Sequence, residues 1–241
     1  MSPYRAVVTD VDGTLTGPDR RLDARALAWT RRLEARGIPV LLATGNVLPI
    51  ALALHRSLGL SGPVVAENGG IVYRHVGDAE RIERLSDRRV ALRGYRALRA
   101  ASLPVRRLFT DRWRETEVAL DASVTVTAVR RVLRIRGIPL EAIPTGFAVH
   151  LMERGAGKLP GLRHALAPLG LDPSDCVVLG DGDNDVPMLR AAGFGVSFAS
   201  ASPRAQRAAR YVARSSYAGG FVEGLKACQI LPSHGSHTGG N

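Results

Sequence analysis

Four short apolar runs constrain the fold of this chain more strongly than any other feature of its sequence. None of them alternates polar and apolar residues, and such unbroken runs are typical of strands buried on both faces of a parallel sheet. Helical patterns lie between the runs, and this alternation predicts an α/β domain with a doubly wound, Rossmann-like parallel sheet. The runs are AVV at 6–8, VLLA at 40–43, VVA at 64–66 and CVVL at 176–179.

Polar residues follow these runs where each strand is expected to end. Asp10 closely follows the first run, Thr44 the second and Asp181 the fourth. Ligands of open α/β sheets bind outside the carboxyl ends of the strands. We therefore expect these side chains to meet in a site at that edge of the sheet.

The segment from about Gly77 to Arg154 has a different pattern from the rest of the chain. Its expected strands, such as RIERL at 81–85, alternate polar and apolar residues, and helical patterns lie near 90–101 and 125–136. A mixed segment inserted between two halves of a parallel domain predicts a small α+β cap. We expect a core at 1–77 and 155–232, a cap at 78–154 and a disordered tail at 233–241.

The charge of the chain bears on its partners. Thirty-one arginines and two lysines contribute to a net charge of +11 and a sequence pI of about 10.8, which raises the question of nucleic-acid binding. The arginines form no long block, and aromatic residues that could stack on bases make up only 5% of the chain. This distribution favours a solvated arginine-rich surface, with steering of small anionic substrates as the main alternative. We expect no nucleic-acid partner.

We expect this chain to carry no membrane or secretion signal. No apolar run approaches the length of a membrane span, and the N-terminal residues lack the long apolar region of a signal peptide. Cys176 and Cys228 are too few for a disulfide framework. We therefore expect a cytoplasmic protein with no membrane partner, and the sequence does not determine whether it forms a homodimer.

Two acidic clusters carry the strongest chemical signal. Asp10 and Asp12 point the same way along an extended segment, because side chains alternate with period two. GDGDND at 180–185 forms the second cluster, after a later strand. Carboxylates gathered at one edge repel each other unless a cation compensates their charge. Oxygen ligands of this kind suit Mg²⁺, which binds few carboxylates and also takes substrate phosphate oxygens.

A calcium-binding loop is the alternative for the second cluster. Asp181, Asp183 and Asp185 match the first three ligand positions of such a loop. The loop requires glycine at its sixth position and glutamate at its twelfth, where this chain has Val186 and Ala192. We therefore favour magnesium, and we interpret Asp183 as a turn residue rather than a ligand.

Donors for a phosphate group also lie at the expected edge. Thr44 supplies a hydroxyl, and the backbone at Gly45 can approach an anion closely. Lys158 follows a GAG sequence at the expected start of a helix. A lysine in this position is more often a surface residue, but Lys158 stands opposite two acidic clusters in a chain that otherwise uses arginine almost everywhere. We interpret it as a compact point charge for the site.

These motifs resemble, in order, the four motifs of the haloacid dehalogenase-like phosphatase superfamily. They are DVDGT at 10–14, Thr44, Lys158 and GDGDND at 180–185. Residues 43–70 and 211–225 are similar, more narrowly, to the archaeal phosphoglycolate phosphatases, in the branch that includes sucrose-phosphate phosphatase. The resemblance implies the core and inserted cap of that superfamily, Mg²⁺ as cofactor and a small organic phosphate as substrate.

The resemblance also implies roles for individual residues. Asp10 would attack phosphorus and form an aspartyl-phosphate, while Asp12 would act as general acid and base. The residues implied to bind the substrate phosphate are Thr44, Gly45, Lys158 and Asn184. The residues implied to bind Mg²⁺ are Asp10, Asp12 through its backbone carbonyl, Asp181 and Asp185.

The most specific activity that the resemblance implies is hydrolysis of 2-phosphoglycolate to glycolate. A sugar-phosphate phosphatase or a phosphomutase of the same superfamily is the first alternative, and a basic nucleic-acid-binding protein without catalysis is the distant one. Because phosphoglycolate carries a carboxylate, we expect the cap to place a cation or backbone donors over the pocket. The candidate cations are Arg106, Arg107, Arg112 and Arg114.

Overall fold

A computed structural model describes residues 2–121, 123–145 and 148–231 of the chain. The tail expected to be disordered, 233–241, lies outside the described residues. The strands are β1 (Ala6–Thr9), β2 (Val40–Ala43), β3 (Val64–Ala66), β4 (Ile71–Val76), β5 (Ala79–Arg84), β6 (Val118–Leu120), β7 (Leu140–Pro144), β8 (Val149–Glu153), β9 (Cys176–Leu179), β10 (Phe194–Phe198) and β11 (Tyr211–Ala213). The α-helices are α1 (Ala24–Glu34), α2 (Leu48–Leu58), α3 (Arg88–Ala100), α4 (Val126–Ile135), α5 (Lys158–Leu166), α6 (Val186–Ala191), α7 (Pro203–Ala208) and α8 (Tyr217–Ala227).

Eight strands form one large sheet in the order β11-β10-β9-β1-β2-β3-β4-β5. The strands from β11 to β3 pair in parallel, whereas β4 and β5 are antiparallel to their neighbours. The four apolar runs of the sequence are β9, β1, β2 and β3, which lie side by side and are fully buried. The predicted α/β class with a largely parallel sheet is therefore confirmed.

The strand expected near 81–85 belongs to the large sheet and not to the cap. β5 pairs with β4 along its whole length, from Arg84 opposite Ile71 to Ala79 opposite Val76. Gly77 turns the chain between them with a φ of 59°, a left-handed conformation that favours glycine. The expected cap start at residue 78 is corrected accordingly, because the chain leaves the large sheet only after Arg84.

A second, smaller sheet has the order β6-β8-β7, and both of its pairs are antiparallel. The helices expected near 90–101 and 125–136 are confirmed as α3 and α4. Their apolar side chains pack with this sheet in a buried cluster that is separate from the cluster of the large sheet. The mixed helix and strand content matches the expected cap, and the division of the chain into core and cap stays a prediction.

Local sequence explains where several helices begin and end. Asp23 precedes α1 and accepts a hydrogen bond from the amide of Arg25, which satisfies one free donor of the first turn. Gly59 ends α2 with a φ of 68°, a conformation that glycine adopts without strain. No helix in the described part of the chain combines the length and the apolar character needed to cross a bilayer.

The carboxyl ends of the central strands position the polar residues at one edge of the large sheet. Asp10 directly follows β1, Thr44 follows β2 and Glu67 follows β3. Asp181 comes two residues after the end of β9. Because these strands are parallel neighbours, all four residues lie at the same edge.

Candidate active site

Three aspartates and one lysine converge at this edge. Carboxylate oxygens of Asp10, Asp181 and Asp185 lie within 4.8 Å of one another. Lys158, the first residue of α5, is buried beside them. Its Nζ donates to Asp10 Oδ1 at 2.7 Å and to Asp185 Oδ1 at 2.6 Å. The fold thus joins three of the four sequence motifs in one cluster, which we call the acidic cluster.

The acidic cluster carries more negative charge than its lysine balances. Burial raises the pKa of Asp10 well above its ordinary value, opposed by Lys158 and reinforced by the neighbouring aspartates. Burial and repulsion from Asp185 raise the pKa of Asp181 to about 7. Burial alone would lower the pKa of Lys158, but attraction to Asp10 and Asp185 outweighs it and raises that pKa. A divalent cation would relieve the imbalance.

The donor set of the acidic cluster fits magnesium. Mg²⁺ prefers oxygen ligands and usually binds through a few carboxylates together with waters and substrate phosphates. Asp185 already accepts hydrogen bonds on both oxygens, from Lys158 on Oδ1 and from the amides of Asp181 and Gly182 on Oδ2 at 3.1 and 2.9 Å. We therefore expect Asp10 and Asp181 to be the principal ligands, and ligation by Asp185 stays a prediction.

Gly13 allows the first motif to pass close to the fourth. Its φ of 79° favours glycine, and a Cβ at this position would collide with the carboxylate of Asp181. The next residue, Thr14, donates its hydroxyl to Asp181 Oδ1 at 3.4 Å. The Gly-Thr turn of the first motif therefore places Asp181 next to the end of β1.

Asp12 is held by a residue that follows β2. Asn46 Nδ2 donates to Asp12 Oδ2 at 2.7 Å and to Thr44 Oγ1 at 3.2 Å. The Thr44 hydroxyl also accepts from the Asn46 amide at 3.0 Å, and its side chain is fully buried. Thr44 thus supports the asparagine that orients Asp12, and its predicted contact with the phosphate stays a prediction.

A cleft of about 690 Å³ borders the acidic cluster. Most of the predicted site residues line this cleft, whereas Thr44 and Asp185 are buried and do not. Those that line it are Asp10, Asp12, Gly45, Lys158, Asp181 and Asn184. The tertiary structure therefore gives most of the predicted residues access to a ligand.

Asp183 has a structural set of contacts. Its carboxylate accepts from Ser202 Oγ at 2.6 Å and from Arg204 Nη1 at 3.0 Å. It lies outside the acidic cluster, although it is only two residues from Asp181. These contacts agree with its interpretation as a turn residue.

The arginines expected over the pocket do not line the cleft. That expectation is wrong, because a nearer acidic or aromatic side chain holds each guanidinium. These partners are Asp121 for Arg106, Asp111 for Arg107, the Phe109 ring for Arg112 and Glu117 for Arg114.

A buried polar network beside the cleft was missed by the sequence analysis. It consists of Asn68, Arg114, Glu117 and His150, each at most 3% exposed. Two signals were present in the sequence. Asn68 lies in the polar group after the third apolar run, and His150 interrupts the apolar sequence AVHLM at 148–152. Neither signal by itself says that the two side chains meet.

The raised pKa of Asp181 predicts how pH affects the metal-free protein. A carboxyl with a pKa of about 7 in the folded chain and about 3.8 when unfolded holds an extra proton in the folded state. Stability should therefore fall as pH rises from 5 to 8 in EDTA, measured as the melting temperature by circular dichroism. Asp181→Asn should flatten this trend, and excess Mg²⁺ should stabilise the wild type most at pH 8. A wild-type melting temperature that rises with pH in EDTA would contradict the assignment.

Comparisons with known proteins identify the family of this chain. Residues 7–91 and 143–225 match the model of a family described as haloacid dehalogenase-like hydrolase. A phosphoglycolate phosphatase from Methanopyrus kandleri is 43% identical over 210 residues, which cover 86% of this chain and 89% of that protein. Another from Methanothermobacter thermautotrophicus is 36% identical over 222 residues, which cover 92% of this chain and 97% of that protein.

Solved structures share the fold over nearly the whole chain. A crystal structure from Thermoplasma acidophilum has a TM-score of 0.84 and 28% identity, and the match covers 95% of this chain and 99% of that one. The sucrose-phosphatase of Synechocystis, solved with sucrose and phosphate, has a TM-score of 0.73 at 20% identity. The match covers 96% of this chain and 100% of that one, and at this identity it shows a common fold alone. The chain belongs to the haloacid dehalogenase-like hydrolase family and is a phosphatase.

Proposed function

We propose that the chain is a Mg²⁺-dependent phosphomonoesterase that forms an aspartyl-phosphate on Asp10. The observation that carries this proposal is the buried lysine of the acidic cluster, whose Nζ contacts both Asp10 and Asp185. Its charge reduces the repulsion that a dianionic phosphate would meet beside three carboxylates. One cluster therefore offers a nucleophile, a cation for the phosphate and ligands for a metal.

Asp10 supplies the nucleophile in this proposal. One carboxylate oxygen forms a bond to phosphorus while the bond from phosphorus to the ester oxygen breaks, and the leaving alkoxide takes a proton from Asp12. In the second step water attacks phosphorus, Asp12 takes a proton from this water and the bond to Asp10 breaks. Inorganic phosphate leaves, and both aspartates return to their starting states.

The surroundings of Asp12 support its proton-transfer role. Asn46 holds its carboxylate at 2.7 Å, and the residue lines the cleft two positions from Asp10. The carboxylate of Asp12 lies outside the acidic cluster. This position suits a general acid and base better than it suits a metal ligand. The predicted metal contact of Asp12 is through its backbone carbonyl.

The acidic cluster would hold Mg²⁺ together with that carbonyl. When bound, the ion supplies positive charge that stabilises the phosphoryl oxygens and offsets their repulsion from Asp10. Lys158, which contacts the carboxylate of Asp10, would bind a phosphate oxygen beside the nucleophile. The residues proposed to bind the substrate phosphate are Thr44, Gly45, Lys158 and Asn184.

The proposed substrate is 2-phosphoglycolate. Two relatives that this chain covers over most of their length, at 43% and 36% identity, are phosphoglycolate phosphatases. A sugar-phosphate phosphatase remains the main alternative, since sugar phosphatases are among the proteins that share the fold.

A hydrolysis panel tests this proposal. The purified chain is assayed with Mg²⁺ on 2-phosphoglycolate, hexose phosphates and nucleoside monophosphates, and kcat/KM is compared. We expect 2-phosphoglycolate to lead by on the order of tenfold or more, because a site built for a polar group discriminates strongly against its absence. A preference for hexose phosphates would favour the sugar phosphatase instead. Absence of hydrolysis with salt-dependent binding of DNA would favour the nucleic-acid-binding alternative.

A further inference from the structure

His150 is the titratable side chain that the predicted cap contributes to the cleft in the described part of the chain. The other lining residues from that segment are Pro144 and Thr145. His150 lies in β8, where Val149 and Leu151 on either side of it belong to the apolar cluster of the small sheet. Because side chains alternate along a strand, the imidazole points away from that cluster and towards the large sheet.

The ring orientation follows from its partners. His150 Nδ1 lies 2.9 Å from Glu117 Oε1, and a carboxylate oxygen can only accept a hydrogen bond. Nδ1 therefore carries a hydrogen. The opposite nitrogen, Nε2, faces Thr145 Oγ1 at the long distance of 3.4 Å. The contact with Glu117 thus leaves Nε2 on the side of Thr145, a residue that lines the cleft.

A buried charge network fixes this arrangement. Burial would raise the pKa of Glu117, but attraction to His150 and Arg114 outweighs it and keeps that pKa below its ordinary value. Arg114 pairs with Glu117 and also donates through Nη2 to the carbonyl oxygen of Gly45 at 3.0 Å. Buried charges of this kind are weak evidence for stability, since apolar residues often replace them without loss. Buried charged side chains of this kind are instead expected where a site binds a charged ligand.

The network lies one side chain away from the residues proposed to bind phosphate. Asn68 Nδ2 is 3.2 Å from His150 Nδ1, and Asn68 Oδ1 accepts from Asn184 Nδ2 at 3.0 Å. Gly45 is equally close, because a Cβ there would lie 3.0 Å from Asn68 Oδ1. A ligand that reaches from the phosphate site to His150 is therefore short.

We propose that His150 is a specificity residue that binds the carboxylate of the substrate's leaving group through Nε2, with Glu117 as its positioning residue. The proposal rests on the proposed function of this site. As an imidazolium, the ring donates a charge-assisted hydrogen bond to the carboxylate, while its other hydrogen stays on Glu117. Arg114 balances Glu117, so the ring's positive charge is left for the substrate.

The test compares two esters that differ in this carboxylate. Values of kcat/KM for 2-phosphoglycolate and ethyl phosphate are measured with Mg²⁺ for the wild type, His150→Gln and the control His164→Gln, which alters a half-exposed imidazole paired with Glu83. We expect His150→Gln to lower the value for 2-phosphoglycolate roughly 10- to 100-fold, as for a lost hydrogen bond to a charged group. Ethyl phosphate should change little, and His164→Gln should behave as wild type.

The outcomes separate this inference from the proposed function. A wild type that prefers 2-phosphoglycolate, with the same preference in His150→Gln, overturns the role of His150 and leaves the proposed substrate intact. A wild type with no preference for the carboxylate overturns both. If His150→Gln lowers kcat/KM equally for both esters, His150 acts in the structure of the site or in the chemical step. That result overturns its role in recognising the carboxylate.

A measurement on the wild type covers the case in which His150→Gln does not fold. The probes are 3-phosphonopropionate, a non-hydrolysable analogue of 2-phosphoglycolate, and propylphosphonate, which lacks the carboxylate. With ¹⁵N-labelled histidine and Mg²⁺ present, we expect the ring nitrogens of one imidazole to have different ¹⁵N shifts with 3-phosphonopropionate and with propylphosphonate. Identical histidine spectra with the two bound probes would overturn the proposal.

Discussion

Asp10→Asn is expected to fold normally and to lose hydrolysis by on the order of 10⁴-fold or more, as for removal of a catalytic nucleophile. The amide has the shape of the carboxylate but cannot form an acyl phosphate. Folding should survive because burial already disfavours the charged form of Asp10, and Lys158 keeps its contact with Asp185. Steady-state rates on 2-phosphoglycolate and para-nitrophenyl phosphate measure the loss, and circular dichroism checks the fold.

Two further variants give this experiment its controls. Asp183→Asn alters a carboxylate bound by Ser202 and Arg204 near the same cleft, and it should retain most of the activity. Asp12→Asn should slow turnover about 10²- to 10⁴-fold, the usual contribution of general acid–base catalysis. Near-normal turnover in a folded Asp10→Asn protein would exclude the covalent mechanism.

Removal of divalent metal is expected to abolish hydrolysis, and addition of Mg²⁺ to restore it. The three carboxylates of the acidic cluster lie within 4.8 Å with one lysine to balance them, so the dianionic substrate needs a further positive charge beside Asp10. Ca²⁺ should restore little activity, because its larger and looser coordination does not hold the substrate in line with the nucleophile. Rates in EDTA, and then at increasing Mg²⁺ or Ca²⁺, measure both effects.

A comparison of Asp181→Ala with Asp183→Ala tests which of the two carboxylates binds the metal. Asp181 belongs to the acidic cluster and Asp183 does not, although the two are close in sequence and both line the cleft. We expect Asp181→Ala to raise the Mg²⁺ concentration needed for half-maximal activity by roughly 10- to 100-fold or more, and Asp183→Ala to have a much smaller effect. The opposite ranking would show that the wrong carboxylate was assigned.

The sequence predicted the core of the site because its motifs end neighbouring strands. Asp10 follows β1 and Asp181 follows β9, and these strands pair directly in the sheet. Parallel neighbours bring their carboxyl ends together, so order along the chain was enough to place both residues at one edge. Lys158 could be added because a lysine at the expected start of a helix stands out among thirty-one arginines.

The cap side of the cleft could not be predicted in the same way. The sequence offered four arginines as cations, but each is held by its own local partner, and an arginine's long side chain reaches whichever acid the fold brings near. β5 was assigned to the cap because its residues alternate, yet alternation reports a half-buried strand and does not say which sheet it joins. Both errors concern which partner a side chain or a strand meets, and a local pattern of residues does not specify that partner.

The sequence by itself determined the α/β class, the central strands and the acidic residues at their ends, because these depend on local apolar pattern and on strand order. Only the tertiary structure decided that His150, Glu117 and Asn68 meet beside the cleft, from positions 33 to 82 residues apart. Hydrogen bonds between such residues depend on how segments that are distant in the sequence pack together. That packing is set by the whole set of buried side chains, and no local pattern encodes it.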